Sequence, residues 1–174
     1  MSWADRSLSH FACMAVCLVV FPPARLTNGK AFVAMDRILD SAMVGPRDLA
    51  IPEIAALLVN SLRNGQHLCG HYELHSFVVM PNHVHVLATP RVEAARWVGS
   101  LKGVTARRAN LLLGTSGKPF WQDESYDHLV RSDEEFSRIR RYIENNPAAA
   151  GLVGKPEEFE WSSACGATLK ATAG

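Results

Sequence analysis

A chain of 174 residues is long enough for one well-packed domain and short for two. Its composition, 48% hydrophobic and 20% charged, is that of an ordinary globular protein. With a formal net charge of only +1, the whole-chain balance gives no argument for a nucleic-acid partner.

Residues 1 to 10 read as a loosely ordered lead-in, and the small, polar tail from 167 to 174 reads the same way. The apolar run Phe11 to Phe21 imitates the core of a secretion signal. Asp5 offsets Arg6 before it, however, and Pro22-Pro23 stands where a small-residue cleavage site belongs. The run is also too short to cross a bilayer as a helix. It predicts a buried strand in a cytoplasmic protein with no membrane partner. A loop with Asn28-Gly29 and a partly helical segment, Ala31 to Met43, lead to a break at Gly45-Pro46. Pro52 suits the first turn of a helix running to Leu62 or Arg63. Ile54, Leu57, Leu58 and Leu62 lie along one side of it, and Asn64-Gly65 is the expected stop.

Tyr72 to Met80 and His83 to Thr89 predict two strands joined by a tight turn at Pro81-Asn82. Helical periodicity returns from Val92 to Leu113, with Val98, Leu101, Thr105, Ala109 and Leu112 as the inner stripe. Gly99 and Gly103 weaken this helix or admit a close neighbour. Between Ala94 and Gln122 there is no acidic residue, but there are Arg96, Lys102, Arg107, Arg108 and Lys118. Such a segment is either a face that meets phosphate or a solvated helix face. Phe120 to Val130 suits a further strand. Ser132-Asp133-Glu134-Glu135 forms a capping box, and its helix is expected to end at Asn145 because Pro147 disfavours helical geometry before it. Phe159-Glu160-Trp161 reads as an edge strand or a cover. Cys13, Cys17, Cys69 and Cys165 form no CxxC pair, which predicts free thiols rather than a structural zinc site. The element order predicts a single α+β domain over 1–174, an antiparallel sheet covered by helices on one face.

Alternate residues of a strand point to one face, roughly 7 Å apart. His83 and His85 therefore project together, and Val84 and Val86 project to the other side. A His-x-His pair is by itself compatible with hydrogen-bonded structural histidines. A histidine-triad nucleotide hydrolase would need a third alternating histidine, where this chain has Leu87. A zinc hydrolase would need another strong ligand and an open position. The remaining reading is metal-assisted phosphoryl transfer with a protein nucleophile. The capped helix bears on this choice. Its apolar stripe is Phe136, Ile139 and Ile143, and Arg138, Tyr142 and Asn146 share one flank beside that stripe at four-residue spacing.

Val79-Met80-Pro81-Asn82-His83-Val84-His85-Val86-Leu87, Tyr142-Ile143-Glu144-Asn145-Asn146-Pro147 and Ala150-Gly151-Leu152-Val153 together resemble the single-tyrosine HUH transposases. Within them the resemblance is closest to the subgroup associated with repetitive extragenic palindromes, the REP-associated tyrosine transposases. Lys102-Gly103, Phe120-Trp121-Gln122, Asp127 and Trp161-Ser162-Ser163 fit the same pattern, so the resemblance covers Tyr72 to Ser163. It implies a ferredoxin-like antiparallel sheet. It also implies an endonuclease and strand transferase that acts on single-stranded or hairpin DNA through a 5′-phosphotyrosine intermediate. Tyr142 would be the nucleophile, and His83, His85 and Asn146 would hold a divalent metal, Mg²⁺ or Mn²⁺. Lys102, Arg107 and Arg108 are candidates for DNA backbone contacts. Trp121 is a candidate for stacking on a base or for the core. Arg138 is expected either to clamp a phosphate or to pair with Glu134 or Glu135. The alternative is a domesticated protein that binds hairpin DNA without cutting it, against which the full set of four site residues argues. A monomer is expected rather than a homodimer.

Overall fold

The computed structural model describes backbone and side chains of residues 47–121, 130 and 132–166, and the backbone alone of 16–20 and 126–129. The partly helical segment expected over 31–43 and both chain ends lie outside the described residues. Among the described residues the order is β1 (Val16–Val20), α1 (Pro52–His67), β2 (Tyr72–Val79), β3 (Val84–Pro90), α2 (Ala94–Leu113), β4 (Tyr126–Leu129) and α3 (Asp133–Ala149). None of these helices is long and apolar enough to cross a membrane.

The class is α+β, and one sheet carries the strands in the order β2-β3-β1-β4. The β2–β3 hairpin is antiparallel, as the Pro81-Asn82 turn predicts, with Met80 N–H donating to the His83 carbonyl at 2.8 Å across it. A wholly antiparallel sheet is not what forms, because β1 runs parallel to both β3 and β4. The period-2 pattern cannot report this, since Val-Cys-Leu-Val-Val reads alike in either direction. A continuous apolar run of this kind also suits a strand flanked by parallel neighbours.

The helices lie on both faces of the sheet, not on one. Phe77, Val79, Val84, Val86 and Ala88 pack with α1 and α2 in one cluster. Val78, Met80 and Leu87, pointing the opposite way, pack with Ile139 and Ile143 of α3 in a second. From Ser76 to Val79 and from Val84 to Ala88 the hairpin is thus buried on both sides, so neither helix layer is optional. Beyond β2, Trp161 to Ser163 pair along its outer edge. Val79 N–H donates to the Trp161 carbonyl and Ser163 N–H donates to the Phe77 carbonyl, both at 2.9 Å. In place of an edge strand or cover over Phe159-Glu160-Trp161, the chain forms an isolated bridge centred on Ser162 that pairs with the outer edge of β2.

Two helix ends differ from the sequence expectation. Asn64-Gly65 does not stop α1, which continues to His67, and the left-handed residue that turns the chain is Gly70, with φ 62°. Gly65 is needed for a close approach instead. Its carbonyl accepts from His71 N–H, and a Cβ placed on it would lie 2.6 Å from Tyr72 Cζ. The Tyr72 ring has no room to retreat, since its hydroxyl donates to the Leu62 carbonyl at 2.8 Å and its ring packs on Trp97. Gly65→Ala is expected to destabilise by about 1–2 kcal/mol, overpacking outweighing the gain in helix propensity. Gly99, in an exposed part of α2, has nothing within 4 Å of such a Cβ. Gly99→Ala is expected to stabilise by about 0.5–1 kcal/mol. Urea midpoints of the two variants should move in opposite directions. The α2 inner stripe is otherwise as expected, except that Leu112 is 59% exposed and Trp97 and Asn110 are buried.

The second departure matters for chemistry. Pro147 does not end α3 at Asn145, and the helix runs through it to Ala149, stopped by Gly151 at φ 71°. Ala150 N–H still donates to the Asn146 carbonyl at 2.9 Å. Asn146 and Pro147 are both buried, and that burial offsets the unfavourable geometry before a proline. Asn146 therefore stays one helical turn beyond Tyr142, on the same flank.

Candidate active site

α3 starts where its chemistry says it should. The Ser132 hydroxyl accepts from Glu135 N–H at 3.1 Å, and Asp133, Glu134 and Glu135 place negative charge at the positive end of the helix dipole. Its apolar stripe seals against the β2–β3 face that carries His83 and His85. The two imidazoles lie there edge to face, ring centroids 4.6 Å apart. Both are buried, at 1% and 0% exposure. Across the interface the Tyr142 ring stands 6.2 Å from that of His85, and Asn146 Nδ2 reaches the Tyr142 hydroxyl at 3.5 Å. The strand pair and the helical pair, more than fifty residues apart in sequence, meet in one place.

Burial first, and then the neighbouring His85, hold His83 well below the ordinary imidazole value, so the ring is neutral. Neutral imidazoles present lone pairs, not only N–H donors. Asn146, 2% exposed, carries a side-chain carbonyl oxygen that is buried with no hydrogen-bond partner. Leaving such an acceptor dry costs about 1–3 kcal/mol, a cost that a bound cation would remove. Among the described residues no group of three His, Cys, Asp or Glu forms, and the amide of Asn146, beside the Tyr142 hydroxyl, is the further oxygen donor that this interface offers. Two imidazoles and an amide oxygen fit a divalent cation and leave its charge uncompensated for an anionic substrate.

His83 sets a pH dependence that needs no ligand to read. Its folded value is depressed, so as pH falls below about 6.5 the unfolded chain takes up a proton that the buried ring refuses. His75, also lowered mainly by burial despite Glu73 nearby, acts with the same sign. Stability is thus fully present above that pH and declines as pH drops towards the folded values. Urea midpoints in EDTA should fall between pH 7.5 and 5.5, and His83→Asn should flatten the fall. A profile unchanged by that substitution would contradict the burial argument.

The remaining expected site residues do not gather here. Lys102, Arg107 and Arg108 lie on α2, which packs on the other face of the sheet from the histidines. Linear charge could reveal the basic segment but not the layer it joins. Trp121 is a core residue, 8% exposed, its indole N–H donating to the Thr105 hydroxyl at 2.9 Å, so it offers no face on which a base could stack. Arg138 is largely exposed and sits 3.6 Å from Glu135, the pairing its position allowed. Tyr72 is excluded as a nucleophile by its setting. It is 1% exposed on the α1–α2 face, and burial raises its phenol further above the usual range. Asn82, by sequence only a turn residue, has its Oδ1 2.7 Å from His83 Nδ1. The signal was available in its position directly before the histidine.

Residues 62–146 match the family model described as "Transposase IS200 like". The match begins in α1, takes in both histidines and Tyr142, and ends on Asn146. Over this segment the chain is similar to the IS200-like transposases. No curated protein and no solved structure matches the chain. The matched segment supplies β2, β3, α2, β4 and most of α3, whereas β1 and the edge pairing at Trp161 to Ser163 lie outside it. The two flanking pieces nevertheless complete the sheet on which the histidine pair stands.

Proposed function

We propose that the protein is a metal-dependent single-stranded DNA endonuclease and strand transferase in which Tyr142 attacks a phosphodiester. The observation that carries this reading is the meeting of Tyr142 and Asn146, one turn apart on α3, with the buried His83–His85 pair of the same chain.

A tyrosine hydroxyl is a weak nucleophile near neutral pH, since its ordinary pKa is about 10. Asn146 Nδ2 approaches that hydroxyl at 3.5 Å and helps to orient it. His83, His85 and Asn146 would hold the divalent ion, Mg²⁺ or Mn²⁺. When bound, that ion polarises the scissile phosphate and neutralises charge developing on it. The Tyr142 oxygen forms a bond to phosphorus, the bond from phosphorus to the 3′ oxygen breaks, and the phenol proton is released while the 3′ oxygen takes one up. The product is a 5′-phosphotyrosine link and a free 3′-hydroxyl. Because the link conserves the ester bond, a later 3′-hydroxyl reverses the step and joins strands without a nucleotide cofactor. Arg138, exposed on the nucleophile's flank, can exchange Glu135 for a substrate phosphate.

Hairpin DNA is the favoured substrate, and the further motifs at Lys102-Gly103 and Trp161-Ser162-Ser163 favour the subgroup associated with repetitive extragenic palindromes. The basic residues of α2 suit contacts to DNA backbone away from the scissile phosphate. Replacing Arg107 or Arg108 by Ala should weaken binding alike for all sequences and lower the salt slope by about one each. A single chain supplies both halves of the site, which favours a monomer. The test is incubation with end-labelled hairpin DNA and Mn²⁺, followed by denaturing electrophoresis. A protein–DNA adduct that resists denaturant is expected. Tight binding with no adduct under any divalent ion would support the non-cutting hairpin binder instead.

A further inference from the structure

We infer that Asn82 is a positioning residue, whose side-chain oxygen fixes His83 in the tautomer that keeps Nε2 available as a metal ligand. The inference rests on the metal reading of the His83–His85 site and assigns a residue outside the proposed ligand set.

The turn that makes the hairpin also makes this contact. Pro81 and Asn82 span the two-residue connection closed by Met80 N–H on the His83 carbonyl, and the Pro81 carbonyl accepts from Leu49 N–H at 3.2 Å. The turn is therefore tied on both sides, and Asn82 leaves it half-buried beside the ring of the residue that follows. Its Oδ1 lies 2.7 Å from His83 Nδ1, a short and well-formed hydrogen bond. An amide oxygen only accepts, so Nδ1 carries the proton and the second ring nitrogen, Nε2, keeps its lone pair. A neutral ring has one such nitrogen, and the hydrogen bond made by the other decides which it is. His83 is 1% exposed, so water does not compete for this choice. An amide is also the acceptor that suits the site. It orients the ring as a carboxylate would, without adding a negative charge that would oppose an incoming phosphate.

The test reads the ring directly. Two-bond ¹H–¹⁵N correlation spectra of the metal-free full chain report which nitrogen of His83 is protonated, and Mn²⁺ titration followed by electron paramagnetic resonance reports affinity. The wild-type ring is expected in the Nδ1–H form. Asn82→Ala should move His83 towards Nε2–H and weaken Mn²⁺ binding about 10- to 100-fold. Asn82→Asp, which keeps an acceptor oxygen at the same reach, should restore both. A wild-type ring protonated on Nε2 would overturn the inference, because the amide would then be donating. So would an Asn82→Ala chain with Mn²⁺ affinity within about twofold of wild type. Failure of the wild-type chain to bind Mn²⁺ would instead sink the metal reading of the site, while the tautomer measurement, made without metal or DNA, still decides what Asn82 does to the ring.

Discussion

His85→Ala is expected to lower Mn²⁺-dependent DNA cleavage by about a thousandfold, with little loss of DNA binding. The ring is wholly buried between β3 and α3, 4.6 Å from His83 and 6.2 Å from Tyr142 by ring centroids. It therefore neighbours both the other proposed ligand and the proposed nucleophile. Removing it takes one of three donors from the ion, and metal assistance to phosphate attack is worth several kcal/mol, at about 1.4 kcal/mol per tenfold. The same truncation opens a cavity, so some loss of stability is expected with it. His85→Asn separates the two effects, since it keeps a polar side chain of moderate volume and should fold better than Ala while staying inactive. Cleavage that persisted in both variants, at rates within tenfold of wild type, would remove the histidine pair from the mechanism.

Tyr142→Phe carries the larger effect. The covalent adduct should vanish, and strand cleavage should fall by at least about 10⁴-fold, because a removed nucleophile leaves only positioning and electrostatics. Folding should be almost untouched. Tyr142 is only partly buried at the edge of the cluster formed by Val78, Met80, Leu87 and Ile143, and Phe retains the ring that packs there. The hydroxyl lost is the one that Asn146 Nδ2 approaches at 3.5 Å, a long contact that contributes little to stability. Unchanged stability with abolished adduct distinguishes a reacting group from a packing residue, and DNA affinity should remain near wild type.

Much of this site could be read from the chain because strand and helix periodicities are short-range. Alternation puts His83 and His85 on one face and Val84 and Val86 on the other; in the structure the two valines join the α1–α2 cluster, while the histidine rings meet each other and Tyr142 on the α3 side. Four-residue spacing put Tyr142 and Asn146 on one flank, although Pro147 argued for a helix that ended before Asn146. Burial of the Asn146–Pro147 pair overrode that local preference, which no local rule could report. Layering was the least legible feature. Nothing in the spacing of Lys102, Arg107 and Arg108 says that α2 packs opposite the histidines, and nothing in Phe120-Trp121 says that the indole N–H finds Thr105 in the core. Strand direction was hidden for a related reason. An apolar strand such as β1 carries no polarity in its pattern, so its parallel pairing with β3 and β4 depends on a connection of many residues.

In the proposed reaction this chain's own Tyr142, beside its His83–His85 pair, becomes joined to DNA. The most direct measurement is mass spectrometry of peptides from the covalent product formed with hairpin DNA and Mn²⁺, after nuclease and protease digestion. A nucleotide 5′-phosphate is expected on the peptide containing Tyr142, with no such mass when Mn²⁺ is replaced by EDTA. A phosphate carried by Tyr72 or Tyr126, or an adduct formed equally well in EDTA, would contradict this reaction.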